Sequence, residues 1–105
     1  METLRYELHA SRPAGGTRKI AIVGVVASGN LEVLLERSGA ADRCVIEIAT
    51  AARGFADLWA AVTADFVERR AAGGLIITIN DGGARPDTVA LRLAQGVRVI
   101  EESEA

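Results

Sequence analysis

The chain has 105 residues and a formal net charge of −2; half of it is hydrophobic and a quarter charged. That length suits one domain with one core, and hydrophobicity of this level broken by frequent charges excludes a wholly disordered chain. Twelve basic residues against fourteen acidic ones leave no electrostatic footprint for nucleic acid, and the longest strongly apolar run, residues 20–27, falls far short of the about 20 residues that a membrane-spanning helix needs.

Met1-Glu2-Thr3 opens with an acid and no apolar leader, so no secretory signal is expected. The lone Cys44 forms neither an internal disulfide nor a cysteine metal cluster, and it fits a reducing cytoplasm. The aromatic residues are only Tyr6, Phe55, Trp59 and Phe66, so the core must be built from Val, Ile, Leu and Ala. A small core of that kind gains from docking on a partner.

Residues 3–9 alternate, with Leu4, Tyr6 and Leu8 on one side and Arg5, Glu7 and His9 on the other, the signature of a half-buried strand. Residues 11–16 break the chain in a loop. Lys19 to Val26 is β-branched and apolar on both parities, which predicts a buried central strand. Ser28-Gly29-Asn30 interrupts it. Residues 31–36 fit two readings: a strand burying Leu31, Val33 and Leu35, or a short helix capped by Ser28 or Asn30 and burying Leu31, Leu34 and Leu35.

Residues 38–42 form a turn, and 43–50 alternate again, with Cys44, Ile46 and Ile48 facing one way. Beyond Gly54 the period changes. Phe55, Leu58, Trp59, Val62, Phe66 and Val67 follow the i, i+3, i+4, i+7 spacing of an amphipathic helix over 55–71. Asp57 in its first turn and Arg69-Arg70 in its last suit the macrodipole, and Gly73-Gly74 stops it. Residues 75–79 read as a short strand running into the loop 80–85. Pro86 suits the first position of a helix running to Gln95 and ending at Gly96, with Val89, Ala90, Leu93 and Ala94 as its stripe. Residues 97–100 are a short strand or an extension, and 101–105 a frayed acidic tail.

The residues offer little catalytic chemistry. Gly24 and Gly29 have the spacing of a Walker-type phosphate loop, but Asn30-Leu31 stand where lysine and hydroxyl should hold phosphate and metal, and no G-x-G-x-x-G is present. A strand-ending turn with positive φ at Gly29 or Asn30 is the plainer reading. His9 falls on a polar strand face, and Cys44 on an apolar one, as a buried inert thiol. Asp81 reads as a turn former, Arg69 and Arg70 as a solvated helix end, and Trp59 and Phe66 as core, with Trp59 as a partner anchor the sharper alternative. No His, Cys and carboxylate set has the makings of a metal site. Ser28 stands apart as a hydroxyl between small residues at the end of an apolar strand. It either caps a turn or helix start, or offers a modifying enzyme an exposed oxygen with little bulk around it.

Residues 23–36, V-G-V-V-A-S-G-N-L-E-V-L-L-E, closely resemble a segment of the acyl carrier (delta) subunit of malonate decarboxylase, and the related acyl carrier chain of citrate lyase has a comparable S-G-D turn. A second block, Asn80 to Pro86 through Leu91-Arg92-Leu93-Ala94-Gln95-Gly96, resembles the family's D-x-G-A and L-R-L-x-Q-G region. The V-G-V-V and L-L-E flanks favour malonate over citrate chemistry. The resemblance implies one non-catalytic carrier domain over 1–105. It implies 2′-(5″-phosphoribosyl)-3′-dephospho-coenzyme A joined to Ser28 through a phosphodiester, with Gly29 and Asn30 completing the turn. The arm's thiol would carry acetyl and malonyl groups between an acyl-carrier transferase subunit and the decarboxylase subunits, after loading by a prosthetic-group transferase. Asn30 stands where the family usually has Asp, and Ala27 where Gly is common.

The resemblance also bears on the fold. Unaided, strands 20–26, 43–49 and 75–79 separated by possible helices lean towards an α/β three-layer arrangement with a parallel sheet. A tight turn at Ser28 instead joins 19–27 and 30–36 as a hairpin. The expected fold is then α+β in two layers: a mostly antiparallel sheet with helices 55–71 and 86–95 on one face. An unmodified phosphate- or nucleotide-binding module and a structural adaptor docking through the helices are the competing functions.

Overall fold

The computed structural model describes residues 1–102. Five strands and two helices follow in the order β1 (Glu2–His9), β2 (Ile20–Gly24), β3 (Leu31–Arg37), β4 (Arg43–Thr50), α1 (Ala56–Arg69), β5 (Leu75–Asp81) and α2 (Pro86–Ile100). The strands form one sheet in the order β1-β4-β5-β3-β2. β1–β4, β2–β3 and β3–β5 pair antiparallel, and only β4–β5 is parallel, its two strands joined through α1. The architecture is α+β. The alternating strand–helix reading survives only in that β4–α1–β5 unit, because the hairpin β2–β3 brings β3 into the sheet antiparallel to β5.

Register explains the core. Tyr6, Ile46, Ile77, Leu35 and Ala21 form one cross-strand row, and Leu4, Ile48, Ile79, Val33 and Val23 the next. Alternation puts both rows on the same face, and the two helices cover it: α2 over β2 and β3, α1 beside β1 and α2. Val33, Leu35, Ile46, Ile77 and Ile79 are fully buried there. Residues 31–36 are therefore strand, burying Leu31, Val33 and Leu35 as the alternating pattern requires.

β2 corrects one expectation. Its apolar character on both parities predicts a central strand, yet it lies at the sheet edge, with Ile20 and Ile22 50% and 60% exposed. A β-branched run specifies an extended backbone, not its position, and the face opposite the helices carries no second layer. The α1 stripe also shifts. Phe55 precedes the helix and is exposed, as is Leu58, while Thr63 takes a core position. Its hydroxyl donates to Trp59 O at 2.8 Å, so the burial leaves no orphaned oxygen.

α2 does not end at Gly96. It continues to Ile100, and Val97 and Ile100 extend the buried stripe of Val89 and Leu93. A Cβ at position 96 would stand 2.4 Å from Leu35 Cδ1, so glycine here lets the helix lie close on β3 instead of stopping it. Beyond it, Arg37 ties three segments together. Its guanidinium donates to Ala14 O (2.9 Å), Gly15 O (2.7 Å), Arg18 O (3.0 Å) and Ile100 O (2.9 Å). A cation at the end of α2 also suits its macrodipole. Glu101 and Glu102 are not frayed: Glu102 O accepts from Arg18 N at 3.1 Å, and its carboxylate lies 3.4 Å from the Arg18 guanidinium. The rest of the tail lies outside the described residues.

Candidate functional site

The β2–β3 hairpin ends in a four-residue turn, 27–30, closed by Asn30 N donating to Ala27 O at 3.0 Å. Gly29 has φ +74° in its third position, the type II pattern that favours glycine there. Ser28 occupies the second position and is exposed, and its hydroxyl has no hydrogen-bond partner among the described residues. The expectation of a serine on a tight turn is met, with the positive φ at Gly29 and not at Asn30.

A second loop braces this turn. Gly29 N donates to Gly82 O at 3.2 Å, and Gly82 N donates to Asn30 O at 2.9 Å. A Cβ on Gly82 would come within 2.1 Å of Ala27 O, so only glycine permits this approach. Gly82 is positioned in turn by Asp81, the buried last residue of β5. Asp81 Oδ2 accepts from Thr50 Oγ1 at 2.8 Å and Oδ1 accepts from Ala84 N at 2.9 Å. The carboxylate is thus committed to holding the loop, which agrees with its reading as a turn former. Asn30 adds the last link: its Oδ1 accepts from Leu31 N at 2.8 Å and from Arg92 Nε on α2 at 3.3 Å.

The amides of Val25, Gly29, Asn30 and Leu31 are spent on internal acceptors, so none of these four is available to a bound phosphate. His9 is exposed on β1. Cys44 is fully buried, and burial pushes its thiol up to about 12. Among the described residues, no three His, Cys, Asp or Glu side chains stand together as a metal set. No described helix is long and apolar enough to cross a membrane.

The family model of the malonate decarboxylase delta subunit (MdcD), an acyl carrier family, matches residues 18–100. The chain belongs to that family. It is 58% identical to a malonate decarboxylase acyl carrier protein of Bradyrhizobium diazoefficiens, over 98% of each chain. A protein of the same name from Xanthomonas euvesicatoria pv. vesicatoria is 50% identical over the full length of both. The fold superposes with a TM-score of 0.83 and 39% identity on a chain of a Pseudomonas malonate decarboxylase hetero-tetramer in complex with malonate, covering 95% of this chain and 99% of that one. These relatives are named as acyl carrier proteins, which makes this a family of carrier subunits rather than catalytic ones.

Sequence reasoning about this delta-subunit chain singled out Ser28, Gly29 and Asn30, and the structure brings them together on one turn. It missed what holds them, Gly82 and Arg92. Both fall inside the second block of family resemblance, but no periodicity links residues 30 and 82. Trp59 is core, 6% exposed. One edge of it lines an apolar pocket of about 220 Å3 shared with Phe55, Leu58, Val62 and Val89.

Proposed function

We propose that the chain is the acyl carrier subunit of a malonate decarboxylase, one carrier domain over 1–105, and that Ser28 bears 2′-(5″-phosphoribosyl)-3′-dephospho-coenzyme A through a phosphodiester. The observation that carries this reading is the exposed, unpartnered Ser28 hydroxyl on a turn braced from behind by Gly82. The thiol at the end of the arm supplies thioester chemistry, which activates a malonyl group because the thioester carbonyl can hold the electrons left by departing carbon dioxide.

The protein's own contribution is presentation. Ser28 Oγ projects where no neighbouring side chain claims it, and Gly29 adds no bulk beside it; a Cβ there would meet nothing within 4 Å. The paired backbone bonds to Gly82 hold the turn still as partners approach. No acid or base on this chain is required. An acyl-carrier transferase subunit, the decarboxylase subunits and a prosthetic-group transferase are the partners this reading names, and the hetero-tetrameric assembly of the solved relative supports a multi-subunit setting. We also propose that the chain works in the cytoplasm.

Intact mass and peptide mapping of residues 20–37, on protein from its native complex, test the proposal. The expected result is the mass of the arm on Ser28, with Ser28→Ala abolishing decarboxylation while the fold persists. An unmodified Ser28 in a fully active native complex would overturn it.

A further inference from the structure

Beside the Ser28 turn, between the β2–β3 hairpin and α2, runs an open groove of about 540 Å3. Its walls are Val23, Val25 and Val99, and its charged groups are Arg92 and Arg98. That volume suits a small organic ligand. Arg92 bonds only to neutral oxygens, Asn30 Oδ1 at 3.3 Å and Gln95 Oε1 at 2.9 Å. Neither Arg92 nor Arg98 forms an ion pair with a described carboxylate. In a chain of net charge −2, two uncompensated guanidinium groups at one groove make a local anion trap. Arginine is the side chain best matched to phosphate oxygens.

We infer that this groove holds the diphosphate of a dephospho-coenzyme A moiety, and that its occupant is the arm tethered at Ser28, parked along α2 between deliveries. The inference rests on the carrier reading above. Asn30 lines the groove two residues from Ser28, so tethering raises the local concentration of the diphosphate far above that of any free nucleotide. The apolar walls suit the uncharged parts of the same moiety. Asn30 matters because its neutral carboxamide leaves the charge of Arg92 available, where a carboxylate would cancel it.

The test uses the Ser28→Ala protein, the unmodified protein and the loaded protein, observed by amide NMR. Titrating Ser28→Ala with 3′-dephospho-coenzyme A should shift the amides of residues 23–25, 30, 92, 95 and 98, and inorganic diphosphate should reverse the shifts. Arg92→Gln, Arg98→Gln and Asn30→Asp should each weaken binding, roughly tenfold for the arginine variants. Arg92→Lys should recover part of the loss, and rising salt should weaken binding throughout. In the loaded protein the same amides should already be shifted, and added 3′-dephospho-coenzyme A should no longer bind.

Shifts that map elsewhere, or affinity unaffected by both arginine variants, would overturn the site. Binding to the unmodified protein with unshifted groove amides in the loaded one would mean that the groove serves a free nucleotide, which overturns the tethered occupant. Failure of the carrier reading shows separately, as a native chain without the added mass, and leaves the Ser28→Ala titration interpretable.

Discussion

Arg37 and Ile100, the last residues of β3 and α2, are joined by a hydrogen bond of 2.9 Å from Arg37 Nη2 to the Ile100 carbonyl. The same guanidinium holds three carbonyls of the 14–18 loop, so one side chain satisfies groups that would otherwise lie partly buried without partners. Arg37→Ala should cost about 2–3 kcal/mol, since bonds from a charged donor are worth more than neutral ones and several carbonyls are orphaned together. Arg37→Lys should restore less than half, because an ammonium cannot reproduce the planar fork. Urea denaturation of the three proteins at neutral pH is the check.

Gly82→Ala tests the brace behind Ser28. The new methyl would meet Ala27 O at 2.1 Å, and backbone cannot step aside cheaply. The expected outcome is a folded protein whose hairpin tip has moved. Hydrogen exchange at the Gly29 amide should accelerate, that of the β4 and β5 amides should hold, and the proposed loading of Ser28 should slow. Unchanged Gly29 exchange would show that the tip does not depend on Gly82.

Gly96→Ala sets helix propensity against packing. Alanine gains about 1 kcal/mol in a helix interior, but overpacking a full core costs about 1–3 kcal/mol. With Leu35 fully buried and its Cδ1 2.4 Å from the new Cβ, the packing penalty should win by about 1 kcal/mol. In a Leu35→Ala background the methyl group falls into vacated space, so the same change should become stabilising. Thermal or urea unfolding of the double-mutant cycle reads this reversal of sign directly.

That contact also explains why Gly96 reads as a helix end although α2 continues to Ile100. A glycine after an apolar stripe is the ordinary sign of a helix end, and only the tertiary approach to β3 reveals that the small residue serves packing. Local periodicity carried β1, β4 and the body of α1, because each keeps one face on the core. It failed at β2, where Ile20 and Ile22 are as apolar as core residues but lie on the open face of an edge strand. The Ser28 turn was legible because its chemistry is local. Its support was not, since Asn30, Gly82 and Arg92 meet only after three elements have packed.

Cys44 gives the chain a predictable response to alkali. Burial raises its thiol from 9.0 to about 12, so between those values the folded chain keeps a proton that the unfolded chain releases. Stability from this group is complete below pH 9 and declines as pH climbs towards 12, by up to about 1.4 kcal/mol per pH unit. Cys44→Ala should be less stable at neutral pH because of the cavity, but should lack this decline. Urea midpoints from pH 8 to 11 on both proteins should therefore converge; parallel profiles would contradict it.

The sealed position of that single sulfur atom has an analytical consequence. A folded preparation of the bare polypeptide should be silent to disulfide-exchange dyes, because its only sulfhydryl is fully buried and stays protonated in neutral buffer. On the proposal that Ser28 bears a thiol-ended arm, any prompt colour from the native protein counts those thiols, and any further colour on denaturation counts polypeptide chains. The ratio of the two readings would then give the occupancy of Ser28 in one cuvette, with the protein as its own internal standard.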